Sequence, residues 1–471
     1  MNKLKDLKWF CPQPFMNTLM NNNLVPQPCC VLQQWPGKDF LRDTGQTSIM
    51  EVHNSDFMKD FRKEFLNGGG PISDKLCLVC KEQEKHSPTE SHRLMYLDKF
   101  IPVSGNSDDT NTLLYEDVDR FSLEAPEVLR QFPGGPEFLD NVGDNLDLED
   151  FTSMDWDGEY KEHTRALEEY INTDQSDPMY LTFEYNAPNN FCNLKCNMCS
   201  PHQSSTYAKE NKAIGVFDRD FQKETWINIK DDMSKYEPIL KNLIELKLVG
   251  GETLALPQNY AMMDKAIEMG VSKQMLLVLT TNATLTPKMG KHGDVFDYVP
   301  HFKDCQMNVS IECWGEKNNY IRFPSKWEKI MENVERFSKM PRTKIMFATC
   351  VSSLTIGYLH EVAEGVDAMI EKQPDIFNEF ATGSLVHGGS NLYTITAIPL
   401  DIRELYLERI YEHAPERHTK TFMKLSNYLT DMPFDESLHI KMMIDVARRD
   451  KFRGTVFTDV FPEWKPYYEK R

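Results

Sequence analysis

From about residue 179 onward, short apolar segments alternate with segments of helical periodicity, and this alternation restricts the fold more than any other feature. Six segments have the length and apolar content of buried strands. They are Tyr180–Tyr185, Glu245–Val249, Met275–Thr280, Cys305–Ile311, Thr343–Val351 and Leu392–Ile398. Amphipathic stretches lie between them, the clearest being residues 327–337. Because strands joined by helices pair in parallel through right-handed crossovers, the pattern predicts a parallel βα array, open or barrel-like.

Composition and charge exclude several classes of function. Of the 471 residues, 40% are hydrophobic and 27% are charged, which is typical of a globular protein. No apolar run approaches the roughly 18–20 residues that a membrane span requires. The formal net charge of −19 argues against nucleic-acid binding, because phosphate contacts require a basic surface. Since no secretion signal is recognisable at the start, we expect a cytoplasmic protein that binds neither nucleic acid nor membrane.

The sequence divides into four expected regions. Residues 1–100 carry five cysteines, residues 101–178 hold most of the negative charge, residues 179–400 contain the strand pattern, and residues 401–471 have helical character. The acidic region contains aromatic residues that plainly disordered tracts lack. It is either a solvated insertion at the rim of the strand array or a lid that faces the substrate, because long insertions on such scaffolds often carry specificity.

Three closely spaced cysteines, Cys192, Cys196 and Cys199, follow the first predicted strand in the pattern C-x3-C-x2-C. Thiolates at this spacing can hold three irons of a [4Fe–4S] cluster and leave the fourth iron without a protein ligand. Zinc is the alternative, but a structural zinc site usually needs a fourth Cys or His close by. The nearest candidate is His202. The spacing therefore favours an iron–sulfur cluster with one open position.

Polar groups also follow the next three predicted strands. They are Gly250, Gly251 and Glu252 after the second strand, Asn282 after the third, and Ser310 and Glu312 at the end of the fourth. Each alone could be a turn or capping residue. In βα barrels, however, the carboxyl ends of the strands build the active site. Four aligned strand ends therefore predict one site around the cysteine loop.

These motifs together resemble the radical S-adenosylmethionine (SAM) superfamily over residues 179–400. The resemblance implies an α/β protein whose core is a partial (β/α)6 TIM barrel, with a [4Fe–4S] cluster on the three cysteines and SAM bound beside it. The implied SAM-contacting residues are Met198, Gly250, Gly251, Glu252, Asn282, Ser310 and Glu312. The Gly-Gly-Glu motif would cradle the methionine amino group, and the later motifs would follow the carboxylate and ribose. Two positions depart from the family pattern: Met198 stands where an aromatic residue is frequent, and Glu312 where an aspartate is frequent.

A second set of cysteines lies in the first region: Cys11, the adjacent Cys29 and Cys30, and the pair Cys77 and Cys80. Four thiolates can ligate a whole cluster or a structural zinc ion. The segment resembles a twitch domain, the shortened relative of the SPASM domain, placed here before the barrel. The resemblance implies an auxiliary iron–sulfur cluster on Cys11, Cys77, Cys80 and one member of the adjacent pair. Neighbouring side chains of an extended segment point to opposite faces, and the spacing from Cys11 favours Cys29 as the ligand, with Cys30 in the core of the domain.

The resemblance implies a radical SAM enzyme, which reductively cleaves SAM to a 5′-deoxyadenosyl radical and abstracts hydrogen from a substrate. Twitch and SPASM relatives often modify peptides or proteins, so this is the first hypothesis for the substrate. Oxidation of a carbohydrate or aminoglycoside-like molecule is the second. A flavodoxin- or ferredoxin-type protein would supply the electron. The alternative of a different class is a non-catalytic iron–sulfur electron carrier or a zinc-binding protein.

Overall fold

A computed structural model of the chain describes residues 9–21, 24–32, 48–86, 91–100, 166–216, 231–378, 380–386 and 391–469. Their centre is one eight-stranded sheet. The strands are β1 (Asn17–Met20), β2 (Pro26–Gln27), β3 (Thr182–Asn186), β4 (Glu245–Val249), β5 (Leu276–Thr281), β6 (Asp304–Ser310), β7 (Thr343–Val351) and β8 (Ala381–Leu385). The order across the sheet is β2-β1-β3-β4-β5-β6-β7-β8, and every neighbouring pair is parallel except β1 with β2. The six strands β3 to β8 confirm the predicted α/β fold with a partial barrel as its core.

Helices lie before, between and after the strands of the barrel. In the N-terminal region they are Gln13–Met16, Ile49–Asn54, Asp56–Leu66, Pro71–Leu76, Leu78–His86 and His92–Phe100. Between the strands from β3 to β8 they are Ser205–Ala213, Glu237–Leu240, Pro257–Glu268, Val295–Tyr298, Glu316–Ile321, Trp327–Phe337 and Leu359–Lys372. After β8 they are Leu400–His413, Thr419–Asp431, Glu436–Arg453, Phe457–Val460 and Lys465–Tyr468. Among the described residues, none of these helices is long and apolar enough to cross a membrane.

The two faces of the barrel sheet differ because side chains alternate along each strand. On one face, Phe183, Leu246 and Leu277 are fully buried in a core cluster that also contains residues of the surrounding helices. On the other face, Glu184 of β3 lies opposite Lys247 of β4, and the two form an ion pair of 2.8 Å. The inner face of the partial barrel is therefore partly polar, whereas its outer face is sealed by helices.

Five of the six predicted strands are confirmed within a residue or two at their ends, but the sixth is wrong. Residues Leu392–Ile398 form no strand; Ile395–Ala397 is a short 3-10 helix, and the last strand is Ala381–Leu385. The apolar side chains of the mispredicted segment are buried under the helix Glu436–Arg453, where His439 Nδ1 lies 3.0 Å from the carbonyl oxygen of Ala397. Periodicity does not separate a short buried strand from another short buried segment. Pairing with β7, rather than strand propensity, decides the position of β8.

The N-terminal residues extend the barrel sheet, which the sequence did not predict. Strand β1 pairs with β3 in parallel, with Asn17 opposite Thr182. The side chain of Asn17 fixes this edge, since its Nδ2 donates to the carbonyl of Pro28 at 2.8 Å and its Oδ1 accepts from Thr182 Oγ1 at 2.6 Å. A second apolar cluster, which includes Phe10, Phe15, Phe61, Phe65 and Leu181, packs beside this edge. The proposed division of the chain into four regions stays a prediction, and residues 101–165 of the acidic region lie outside the described residues.

One buried histidine joins the N-terminal helices to the segment that leads into β3. His53 is 1% exposed; its Nδ1 lies 2.9 Å from the hydroxyl of Tyr180, and its Nε2 lies 2.9 Å from the carbonyl oxygen of Gln175. Burial, together with the nearby positive charge of Arg62, lowers the pKa of His53 to about 4. The imidazole is therefore neutral in the folded protein at neutral pH.

We expect this histidine to make the folded protein less stable in acid. In the unfolded chain a histidine titrates near pKa 6.5, so between pH 6.5 and 4 only the unfolded state takes up the proton. His53 should thus lower the free energy of unfolding by about 2 kcal/mol between pH 7 and pH 5. Urea unfolding at the two pH values measures this loss. In His53→Gln the loss should be smaller by that amount, and an equal loss in both proteins would contradict the assignment.

Candidate functional site

The cysteine loop begins directly after β3 and packs at the carboxyl edge of the sheet. Cys192 and Cys196 are buried and Cys199 is half-buried. The loop turns tightly at its end, where the backbone N–H of Cys199 donates to the carbonyl of Cys196 at 3.0 Å. Burial raises the pKa of all three thiols, to about 12 at Cys192. Thiols in such surroundings are neutral unless a metal replaces the proton.

Hydroxyl groups at the start of the next helix hold the shape of this loop. Ser204 is the N-cap of the helix Ser205–Ala213: its Oγ accepts from the N–H of Tyr207 and donates to the carbonyl of Leu194 at 2.7 Å. Thr206 Oγ1 lies 2.9 Å from the carbonyl of Cys192 and 2.8 Å from that of Leu194. The carbonyls of Cys192 and Leu194 are therefore satisfied by hydroxyl groups of the protein.

The Gly-Gly-Glu motif at the end of β4 touches the cysteine loop through its backbone. The N–H of Glu252 donates to the carbonyl of Phe191 at 2.7 Å. A Cβ atom on Gly251 would lie 2.2 Å from the same carbonyl oxygen, which is a severe clash. Gly250 has a φ of +135°, a conformation that side chains other than that of glycine rarely allow. Both glycines are thus required for β4 to approach the loop this closely.

The carboxylate of Glu252 connects the ends of β4 and β5. Glu252 is 1% exposed. One oxygen accepts from Thr281 Oγ1 at 2.5 Å and from the N–H of Leu254 at 3.2 Å, and the other accepts from the N–H of Asn282 at 2.9 Å. Burial raises the pKa of Glu252, and these three donors oppose that shift. A carboxylate can accept about four hydrogen bonds, so capacity for a further donor is left.

Asn282 brings the end of β5 against Cys192, the first cysteine of the loop. Its Nδ2 lies 3.8 Å from Cys192 Sγ and donates to Asn193 Oδ1 at 3.1 Å. Its Oδ1 accepts from the N–H of Thr284 at 2.9 Å, which fixes the orientation of the amide. The structure therefore brings together three of the predicted elements: the cysteine loop, the Gly-Gly-Glu motif and Asn282.

The remaining predicted SAM-contacting residues lie around the same edge of the sheet. Ser310 is the last residue of β6 and is half-buried. Met198 is half-buried, its side chain packs between the main core and the cysteine loop, and its carbonyl accepts from Asn391 Nδ2 at 3.0 Å. The carboxylate of Glu312 is buried and occupied by protein donors, since it accepts from Arg322 Nη1 at 2.7 Å and from the N–H of Cys350 at 2.9 Å.

Arg322 is a site residue that the sequence analysis missed. Its side chain is 12% exposed, and its Nε has no hydrogen-bond partner among the described residues. Burial opposes its positive charge, but the nearby Cys196 and Glu312 raise the pKa of the guanidinium above its usual value. A buried cation with an unpaired donor beside the cysteines is suited to an anionic group. No motif marks this position, because Arg322 follows a short helix rather than a strand end.

Arg453, near the end of the chain, also reaches the cysteine loop. Its Nη1 donates to Asn197 Oδ1 and its Nη2 to the carbonyl of Lys195, both at 2.6 Å, so it contacts both neighbours of Cys196. The same guanidinium binds the buried Glu210, as does Arg449 one helical turn earlier. The sequence analysis assigned Arg453 no role, since the contact spans more than 250 residues.

The donor set of the cysteine loop fits an iron–sulfur cluster better than a single metal ion. Among the described residues, only Cys29, Cys30 and His92 form a group of three whose ligand atoms all lie within 4.8 Å of one another. Cys192, Cys196 and Cys199 are therefore spaced more widely than one tetrahedral zinc ion requires, with Zn–S bonds of about 2.3 Å. The unpaired Nε of Arg322 suits a ligand with a carboxylate bound next to the thiols.

Cys11, Cys29, Cys77 and Cys80 line one pocket in the N-terminal region, together with His92 and Arg93. Burial is the main cause that raises the pKa of Cys11, of Cys77 to about 12 and of Cys80 to about 11. Cys30 does not lie in the core, so that expectation is wrong; it is exposed, with its Sγ 3.3 Å from His92 Nε2. The reason is that the chain turns at Cys30 instead of staying extended, so the Cys30 Sγ lies beside His92 and within 4.8 Å of the Cys29 Sγ.

Comparison with known proteins is consistent with the geometry of the cysteine loop. A family model described as "Radical SAM superfamily" matches residues 187–372. No curated protein in the comparison matches the chain. Similar solved structures include Streptococcus suis SuiB bound to the precursor peptide SuiA (14% identity, 54% of this chain and 51% of that chain, TM-score 0.33). They also include SuiB bound to S-adenosylmethionine (15% identity, 71% and 64%, TM-score 0.30) and SuiB itself (15% identity, 71% and 63%, TM-score 0.29).

The chain spans less than two thirds of the length of each of these SuiB chains. The family match begins at the end of β3 and extends through β7, so it contains the cysteine loop, the Gly-Gly-Glu motif, Asn282, Ser310 and Glu312. These are the residues that the fold gathers at the carboxyl edge of the sheet. Residues 187–372 of this chain are therefore a domain of the radical SAM superfamily.

Proposed function

We propose that this protein is a radical SAM enzyme whose active site is the carboxyl edge of the barrel sheet. The observation that carries the proposal is the contact of the cysteine loop with the Gly-Gly-Glu backbone and Asn282. Cys192, Cys196 and Cys199 would hold a [4Fe–4S] cluster, which would supply the electron for the reductive cleavage of SAM and so for abstraction of hydrogen from the substrate. An electron carrier or a zinc-binding protein has no need of the glycine contact.

Two charged residues are placed to hold the methionine part of SAM. Glu252 has one acceptor position left for the amino group, because three protein donors use the others. Arg322 can receive the carboxylate through its unpaired Nε. Glu312 then acts by orienting Arg322, with which it forms a 2.7 Å ion pair, and Ser310 and Met198 border the ribose and adenine.

The substrate is polar in this proposal, because the inner face of the barrel is polar. Besides the Glu184–Lys247 ion pair, Gln306 Nε2 donates to Asn308 Oδ1 at 2.7 Å on β6. A peptide or protein is the first candidate, and the peptide that SuiB binds is an example of such a substrate. A carbohydrate or aminoglycoside-like alcohol is the second candidate. Both would present polar groups to this surface, and the acidic region 101–178 is a candidate lid over it.

The four thiols of the N-terminal pocket are the proposed ligands of an auxiliary iron–sulfur cluster. Cys11, Cys29, Cys77 and Cys80 supply the four thiol ligands that a cluster needs. The nearby guanidinium of Arg93 favours the charged forms of Cys11, Cys77 and Cys80. A cluster here can accept an electron from the substrate or fix the substrate in place. We further propose a cytoplasmic enzyme that receives its electrons from a flavodoxin- or ferredoxin-type protein and binds neither nucleic acid nor membrane.

The assignment of the two clusters is tested by counting iron. Protein reconstituted without oxygen should hold roughly eight irons per chain if both cysteine sets carry [4Fe–4S] clusters. Changing Cys192, Cys196 and Cys199 together to Ala should leave about four and abolish the formation of 5′-deoxyadenosine from SAM with dithionite. Full iron content in the triple variant would disprove the proposed active site.

The role of Arg453 is tested against Arg449, which binds the same carboxylate but not the loop. A lysine at position 453 cannot reach Asn197, Lys195 and Glu210 at once, so Arg453→Lys should lower the iron retained by the cysteine loop during gel filtration. Arg449→Lys should lower the melting temperature and leave that iron in place. If the two variants lose equal amounts of iron, Arg453 stabilises only the general fold.

The identity of the auxiliary ligand is tested by exchanging the adjacent cysteines one at a time. Cys29→Ala should lose or degrade the auxiliary cluster while the barrel cluster stays intact, because Cys29 is buried in the four-thiol pocket. Cys30→Ala should keep both clusters, because Cys30 is exposed beside His92. Mössbauer and EPR spectra distinguish these outcomes. The reverse pattern would transfer the ligand role to Cys30. Loss of the auxiliary cluster in both variants would favour the Cys29–Cys30–His92 metal group instead.

A further inference from the structure

The helix Glu436–Arg453 presents an unusual surface for a chain of such acidic charge. Its buried face includes Met442, Val446 and Arg449. The opposite side exposes three basic residues, Lys441, Arg448 and Lys451, and three apolar ones, Ile440, Ile444 and Phe452. At 100° per residue these six positions fall within one arc of about 120° on the helix. We call this set the basic face.

Among the residues that the structure describes, no ion pair neutralises the charges of the basic face. No carboxylate among the described residues forms an ion pair with Lys441, Arg448 or Lys451, whereas Asp445 on the buried side is held by Arg449. The acidic residues Asp435 and Glu436 lie at the beginning of the helix, away from its last turns. The whole chain has a net charge of −19. An exposed basic face that forms no ion pair with the described residues therefore favours binding of a negatively charged partner.

The apolar part of the basic face has the character of an interface. Phe452 is 48% exposed, Ile440 is 51% exposed and Ile444 is 41% exposed. Exposed aromatic and arginine side chains are enriched at sites at which proteins dock. Basic side chains alone could bind any anion, whereas basic side chains together with exposed apolar ones are suited to binding the surface of a protein.

The end of the basic face lies beside the active site. Arg453, the next residue after Phe452, donates to the carbonyl of Lys195 and to Asn197, the two neighbours of the cluster ligand Cys196. The ammonium group of Lys195 itself lies 5.4 Å from the centre of the Phe452 ring. A protein seated on the last turns of this helix is therefore separated from the cysteine loop by little more than one layer of side chains.

We propose that the basic face is the docking surface of an acidic one-electron donor protein. This inference rests on the proposed function, since it requires a cluster that must be reduced. One electron leaves the reduced donor, which is oxidised by one electron, and enters the cluster held by Cys192, Cys196 and Cys199; no bond is formed or broken. Long-range attraction between opposite charges would guide the encounter, and the apolar residues would hold the complex.

The experiment measures binding of an acidic flavodoxin to the full, cluster-reconstituted chain by calorimetry at low and high salt. The test variant is Lys441→Glu/Arg448→Glu/Lys451→Glu. The matched control, Lys273→Glu/Lys339→Glu/Lys372→Glu, makes the same charge change on exposed lysines at the opposite edge of the sheet. We expect the test variant to lose roughly tenfold or more in affinity at low salt and to lose its salt dependence. The control should change affinity much less.

A second variant, Ile444→Ala/Phe452→Ala, should weaken binding without changing its dependence on salt. In the test variant, cluster reduction by the flavodoxin should slow, while reduction by dithionite and the 5′-deoxyadenosine that it yields should stay at the wild-type level. Equal effects of the test and control variants, or no binding of the flavodoxin to the wild type, would overturn the proposed docking surface. So would a stable dimer in sedimentation that the test variant disrupts, because the basic face would then be occupied by a second copy of the chain. Loss of the dithionite reaction in the wild type would instead refute the proposed function.

Discussion

The close backbone contact between the cysteine loop and the end of β4 determines the geometry of the rest of the site. Because Gly251 has no side chain, the N–H of Glu252 reaches the carbonyl of Phe191 at 2.7 Å. This contact places the Glu252 carboxylate where the donors of Thr281 and Asn282 meet it, and it holds Asn282 against Cys192. A small displacement at Gly251 would therefore also move the residues that follow β3, β4 and β5.

Buried ion pairs determine how the charged side chains at this edge of the barrel are oriented. Glu312 with Arg322, and Glu210 with Arg449 and Arg453, are ion pairs almost without access to water. Such pairs contribute little net stability compared with apolar packing, but removal of one partner is costly, because the remaining charge stays buried. Their arrangement fixes the orientation of two guanidinium groups next to the cysteines. We interpret them as the means by which distant parts of the chain are aligned with the site.

The N-terminal region and the C-terminal helices both contact the barrel. Strand β1 extends the sheet at β3, which brings the four-thiol pocket to the side of the barrel that bears Glu184 and Lys247. The last long helix supplies Arg453 to the cysteine loop. The radical SAM domain at residues 187–372 thus obtains contacts from both ends of the chain.

Much of the fold and part of the site follow from local sequence. Five strand positions, the cysteine loop and the strand-end motifs can be read directly, because strand periodicity, thiol spacing and paired glycines are properties of a few neighbouring residues. The sequence alone thus determined the barrel and the cluster-binding class. Only the tertiary structure decided the place of β1 and β8 and the roles of Arg322 and Arg453. The physical reason is that strand pairing and buried ion pairs join residues that are far apart in the chain. A local sequence pattern does not indicate with which strand a given strand pairs, or with which carboxylate or carbonyl a guanidinium interacts.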